Sequence, residues 1–163
     1  MKKYKKIALS TLTISLLSFA LWRLCQTPEI INIHQKNHLT SIVVKNFPIT
    51  NNGKITWWLK NKKLLKIKYG IPIQNPKTGN YNITIWDIGD GYRVNTWTDQ
   101  DSDLLCFKGM KTEANCIEKN ILMRISRYSG PWFGGVVIDY TVGEDTYRQH
   151  GENGKIKRVK DEE

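Results

Sequence analysis

Negative charge is missing from the start of this 163-residue chain: the first acidic residue is Glu29. Lys2, Lys3, Lys5 and Lys6 instead lead into a predominantly apolar run from Ile7 to Trp22. That pattern excludes an ordinary solvated N-terminus and predicts an export segment whose lysines stay cytoplasmic. Histidine is scarce too, with only His34, His38 and His150, and neither HExxH nor CxxC spacing occurs, which argues against the common zinc and redox motifs. Gly89-Asp90-Gly91 leads into a strand-like segment where a phosphate loop needs a helix, and no internal repeat is visible. What is absent therefore leaves no recognisable catalytic or cofactor constellation.

The apolar run is 16 residues long, between the roughly 7–15 of a signal-peptide core and the roughly 17–25 of a spanning helix. Trp22 and Arg23 favour a retained anchor, because an indole and a snorkelling guanidinium suit the far headgroup level. The expectation is a single-pass inner-membrane protein, with residues 1–25 as lysine cluster and transmembrane helix and residues 26–163 as one periplasmic domain. The alternative is cleavage after Ser18-Phe19-Ala20, which would release that domain into the periplasm. Leu24 and Arg23 are too bulky and too charged for Cys25 to be a lipidation site.

The net charge of +10 is half topology signal, since residues 1–25 hold five Lys or Arg and no acid. The remaining excess is too small to predict a nucleic-acid partner. It is unevenly spread, however: nine lysines and no acid lie between Glu29 and Asp87, whereas Asp87 to Glu152 holds 11 acidic against seven basic residues. Cys106 and Cys116 are the natural disulfide pair in an oxidising compartment, and Cys25 is left over.

Along the chain, Ile30–His34 and Thr40–Lys45 read as a hairpin about the polar turn 35–38. Thr50, Asn51 and Asn52 offer caps for one amphipathic helix, Lys54–Tyr69, stopped by Gly70 and Pro72. Its apolar stripe of Trp57, Trp58, Leu64 and Leu65 should face the sheet, while Lys60, Lys63 and Lys66 point elsewhere. Tyr81–Ile88 alternates as a half-buried strand, and Gly89-Asp90-Gly91 should reverse it into a partner strand over Tyr92–Trp97. Ile121–Tyr128 and Val136–Val142 read as strands around the glycine-rich, irregular Ser129–Gly135, and Thr146–His150 with Lys155–Val159 as a last hairpin. The sum is an α+β fold: an N-terminal transmembrane helix, then one mostly antiparallel sheet packed by one amphipathic helix.

Each candidate for chemistry has a plainer reading. Asp99, Asp101 and Asp103 have the spacing that opens a calcium loop, but Leu104 replaces its glycine and Met110 its closing glutamate, so a solvated acidic turn is expected. Asp87 and Asp90 read as turn-capping carboxylates rather than an acid and base pair. Trp132 and Phe133, set between glycines and grouped with Trp86 and Trp97, are candidate recognition aromatics.

Three blocks carry a resemblance. They are residues 45–72, with Trp57-Trp58-Leu59-Lys60-Asn61-Lys62 and Tyr69-Gly70-Ile71-Pro72; then Trp86-Asp87-Ile88-Gly89-Asp90-Gly91-Tyr92; and Asp103–Phe107 leading to Cys116-Ile117-Glu118-Lys119-Asn120. Over nearly the whole chain these resemble a family of enterobacterial putative membrane proteins catalogued as a domain of unknown function. The resemblance implies membrane attachment and paired cysteines, and it brings no catalytic residue and no cofactor.

The functional expectation is a non-enzymatic, membrane-anchored protein that binds a partner in the envelope, as an accessory or immunity-like factor. The alternative is a lipid or cell-wall binding module that uses the lysine-rich helix 54–68. A hydrolase using Asp87, Asp90 and the Asp99–Asp103 loop ranks last. No nucleic acid, metal or cofactor is expected.

Overall fold

The computed structural model describes residues 11–19, 22, 26–96 and 103–160. Residues 11–19 are helical and exposed. Among the described residues no helix is long and apolar enough to cross a membrane. Cys25, Trp97, Asp99 and Asp101 lie outside the described residues.

Strand β1 (Glu29–Lys36) turns at Asn37, which takes the left-handed φ of 55°, into β2 (Leu39–Lys45). The expected hairpin is thus present and longer at both strands. The run Ile42-Val43-Val44 is fully buried, because β2 lies inside the sheet with both faces covered and pairs in parallel with β3 (Tyr81–Asp87). A parallel neighbour needs a crossover, and the α-helix Asn51–Tyr69 supplies it. Thr50 caps the helix by accepting from the Gly53 amide at 3.1 Å, and Gly70 ends it at φ 69°. The remaining strands are β4 (Leu104–Cys106), β5 (Cys116–Glu118), β6 (Ile121–Gly130), β7 (Gly135–Val142), β8 (Asp145–His150) and β9 (Ile156–Arg158). Seven of them form one mostly antiparallel sheet in the order β1-β2-β3-β6-β7-β8-β9, and β4 pairs with β5 in a separate ribbon.

The helix crosses the sheet diagonally. At its start the Asn51 amide donates to the Asp145 carboxylate of β8 at 2.8 Å; one turn on, Lys54 Nζ reaches the Leu122 carbonyl of β6; at its end the Tyr69 carbonyl accepts from Gln35 of β1. Ile55, Trp58 and Leu65 are buried against Ile42, Ile83, Ile85, Met123, Ile125 and Tyr140. The expected stripe is corrected here. Consecutive helical residues differ by about 100°, so Trp58 and Leu65 cannot share a contact line with Trp57 and Leu64. The sheet takes the Trp58 side, recruits Ile55, and leaves Leu64 57 % exposed. Trp57 is half-buried with its ring edge-on to Phe47 at 4.9 Å.

On the opposite face the β4–β5 ribbon covers the β2–β3 end, with Phe107 and Ile117 packed on Val43 and Ile88. The Cys106–Cys116 disulfide joins directly opposed residues of the ribbon. The expected hairpin after Gly89-Asp90-Gly91 is a second correction: the turn forms, with Gly89 at φ 54°, but among the described residues the segment 92–96 makes only one bridge, Arg93 to Cys116. Both edges of β3 are already taken, by β2 and β6, so the chain has no edge to return to. Ser129–Gly135 is more ordered than expected. β6 runs to Gly130, a 3-10 turn spans Pro131–Phe133, and Gly134 at φ 65° lets β7 restart at Gly135.

Candidate functional site

The lysines predicted as recognition residues stand on the solvent side of the long helix. Lys60, Lys63 and Lys66 are exposed, and between them Ile67 is 85 % exposed. Placed at helical spacing, Lys60, Leu64 and Ile67 form one ridge with Lys63 beside it. Lys54, the first lysine of the predicted basic stretch, is turned inward: its ammonium donates to the Leu122 carbonyl at 3.2 Å, and burial lowers its pKa. Near the helix start a hollow of about 350 Å³ lies between Pro28, Phe47, Ile49 and Trp57, with Lys60 and Asn61 at its rim.

Trp132 and Phe133 form the other predicted recognition pair. Trp132 is 96 % exposed at the tip of the β6–β7 connection, and Phe133 stacks on Tyr128 with ring centroids 5.6 Å apart. Of the expected aromatic group, Trp97 lies outside the described residues and Trp86 does not join them. Trp86 is half-buried against the disulfide ribbon's core.

The remaining candidates are dispersed. His34 is half-buried, stacked on Phe107 at 3.7 Å and within 3.2 Å of the Tyr92 hydroxyl; burial lowers its pKa and raises that of Tyr92. His150 lies on β8, five strands from β1 in the sheet order, or about 24 Å at the usual strand spacing. Asp87 ends β3 and accepts from the Asn120 amide, while Asp90 and Asp103 sit on exposed turns. Among the described residues no three His, Cys, Asp or Glu side chains gather where they would hold a metal. Tyr81 is buried near the Glu152 carboxylate, and burial first, then that charge, pushes its phenol up to about 12, so it stays protonated at neutral pH.

One cluster was missed by the sequence reading. Arg148, His150, Lys155, Lys157 and Arg158 line a groove of about 480 Å³ along β8 and β9. Arg148 is held by two 2.8 Å hydrogen bonds to Asp139 of β7, which raise its pKa, and Arg158 pairs with Asp145. Among the described residues Lys155 and Lys157 form no ion pair. The signal was present as two i, i+2 pairs, Arg148/His150 and Lys155/Lys157, which strand alternation puts on one face. A balance of charge summed over residues 87–152 set Arg148 against the acids of neighbouring turns and stopped short of Lys155, Lys157 and Arg158.

Compared with known proteins, residues 1–160 match one family, described as enterobacterial putative membrane protein (DUF943). No curated protein and no solved structure matches the chain.

Proposed function

The chain belongs to the enterobacterial putative membrane proteins, and on that premise we propose that it is a non-enzymatic, membrane-attached recognition module whose long helix rests on an anionic lipid surface. In this reading residues 1–25 anchor the chain once in the inner membrane and the folded part lies on the periplasmic side. Its support is the lysine-led apolar run together with the family's membrane character. The observation that carries the docking is the outward ridge of the helix, where exposed Leu64 and Ile67 lie among Lys60, Lys63 and Lys66. Apolar side chains ringed by lysines suit the headgroup boundary, the first entering the acyl edge and the second meeting lipid charge. At about 1 kcal/mol per lysine near an anionic surface, the three together contribute about 3 kcal/mol. That is enough to orient a domain already confined by an anchor.

The test uses the full chain in lipid nanodiscs with a spin label at Ile67→Cys. The label should be shielded from a water-soluble relaxant in discs rich in phosphatidylglycerol and open to it in phosphatidylcholine discs. Shielding should disappear on adding salt or in the variant Lys60→Glu/Lys63→Glu/Lys66→Glu. A label equally open in both lipids refutes the docking.

A second reading, an accessory or immunity-like factor that binds an envelope protein, draws support from β1, which lies at the edge of the sheet and is eight residues long. The bulge at Ile30/Asn32, where the Asn32 side chain accepts from the Ile33 amide at 2.8 Å, interrupts that edge. For that reason it ranks second. Cross-linking in cells followed by mass spectrometry should recover one recurrent protein if it holds.

A further inference from the structure

The sheet face turned away from the helix carries two rows of side chains across β6–β9. Tyr128, Val137 and His150 are paired neighbours in one row, and Ser126, Asp139, Arg148 and Lys157 in the next. Alternation along each strand sends both rows to the side opposite Ile125, Ile138 and Tyr140, which belong to the core under the helix. One end of this face is aromatic, where Phe133 stacks on Tyr128 beside the nearly bare Trp132. The other end is cationic, where Arg148, His150, Lys155 and Lys157 line the 480 Å³ groove with no acid among the described residues, and Arg158, held by Asp145 on the helix side, borders it at the sheet edge. At about 4.8 Å per strand, Tyr128 on β6 stands about 14 Å from Lys157 on β9.

We propose that this face binds an anionic saccharide, a sugar ring stacking on Trp132 and Phe133 while a phosphate or carboxylate settles among Arg148, His150, Lys155 and Lys157. The groove is the size of a small-ligand site. Asp139 aims the Arg148 guanidinium through both of its oxygens, so that cation is ordered before any ligand arrives. Among the described residues Lys155 and Lys157 have no carboxylate to release, and an incoming anion supplies a countercharge. A fully exposed indole offers a flat apolar surface to the C–H face of a sugar ring. The positive surface is short: Glu144 and Asp145 border the adjoining hollow, and Glu152 follows His150 closely in sequence. That limits the charge to one or two anionic groups and disfavours a long nucleic-acid backbone, which needs a continuous basic track. The inference does not depend on helix docking, because the residues involved lie on the other side of the sheet.

The experiment is calorimetric titration of the full chain in neutral detergent with pentamannose 6-phosphate, the same oligosaccharide dephosphorylated, inorganic phosphate, and a single-stranded oligonucleotide. The phosphorylated sugar should bind at least about tenfold more tightly than either the neutral sugar or phosphate alone, the effect of one charge-assisted hydrogen bond. Lys155→Glu and Lys157→Glu should each weaken it by about tenfold. Trp132→Ala should weaken the sugar and leave inorganic phosphate unchanged, while Lys60→Glu should alter neither. Trp132 and both lysines carry little of the fold, and unchanged melting of each variant verifies this. No binding of the phosphorylated sugar, indifference to Trp132→Ala, or tighter binding of the oligonucleotide would overturn the proposal.

Discussion

In the variant Trp58→Ala the long helix loses the largest side chain it buries against the sheet. Trp58 is 1 % exposed and packs in the cluster formed by Ile42, Ile83, Ile85, Met123 and Tyr140. An indole of this kind buries roughly 150–250 Å². At about 25 cal/mol per Å² that is roughly 4–6 kcal/mol of transfer free energy, an upper bound because the unfolded chain already shields part of it. Large-to-small core substitutions of this type cost about 3–5 kcal/mol. A domain with a total stability of about 5–15 kcal/mol would lose about a fifth of it or more, and Tm would fall by roughly 6–20 °C. Leu64→Ala is the matched control: Leu64 is 57 % exposed, and its truncation should stay within about 0.5 kcal/mol. Urea unfolding followed by circular dichroism measures both. A loss under about 1 kcal/mol for Trp58→Ala, or an equal loss for the two variants, would refute the diagonal docking through Ile55, Trp58 and Leu65.

Two further outcomes follow from other parts of the structure. The Cys106–Cys116 bridge closes a separation of 10 residues, and Cys106→Ser/Cys116→Ser should lower stability by about 2.7 kcal/mol on the loop-entropy account; reductant should shift the urea midpoint of the native chain and leave that variant unmoved, and equal midpoints for all three would contradict it. Burial lowers the His34 pKa, so as pH falls the unfolded chain takes up this proton first, near 6.5, while the folded chain stays neutral. Stability contributed by the neutral stack on Phe107 is therefore full above that value and is lost as pH falls below it. His34→Phe keeps an aromatic partner for Phe107 and should flatten the stability profile between about pH 7.5 and 5.5; identical profiles for the two proteins would remove His34 as a cause.

Local signals were legible wherever one short segment carried the whole physical reason. Thr50 and Gly70 bounded the helix because capping depends on backbone groups a few residues away. Strict alternation of Tyr81, Ile83 and Ile85 read directly as one buried face of β3. The Cys106–Cys116 pairing followed from the closeness of these two cysteines in the sequence and the oxidising compartment expected for an exported chain. The exposed lysines 60, 63 and 66 and the exposed Trp132 also came from the sequence, since charge and glycine-flanked aromatics favour solvent-facing positions.

Other features depended on which segments became neighbours. The sequence by itself determined the kinds of element, their approximate limits and the family, all of which reside in residue type and short-range spacing. Only the tertiary structure decided that β2 lies parallel to β3, which removed the edge that a hairpin after Gly91 required. It also decided that the sheet would meet the helix along Ile55, Trp58 and Leu65, leaving Leu64 and Ile67 outside among the lysines. The cationic groove arises in the same way, from two strands whose basic residues are unremarkable one strand at a time and adjacent once β8 pairs with β9. Periodicity specifies which side chains share a face of their own element; which face another element covers is set by packing between segments distant in sequence.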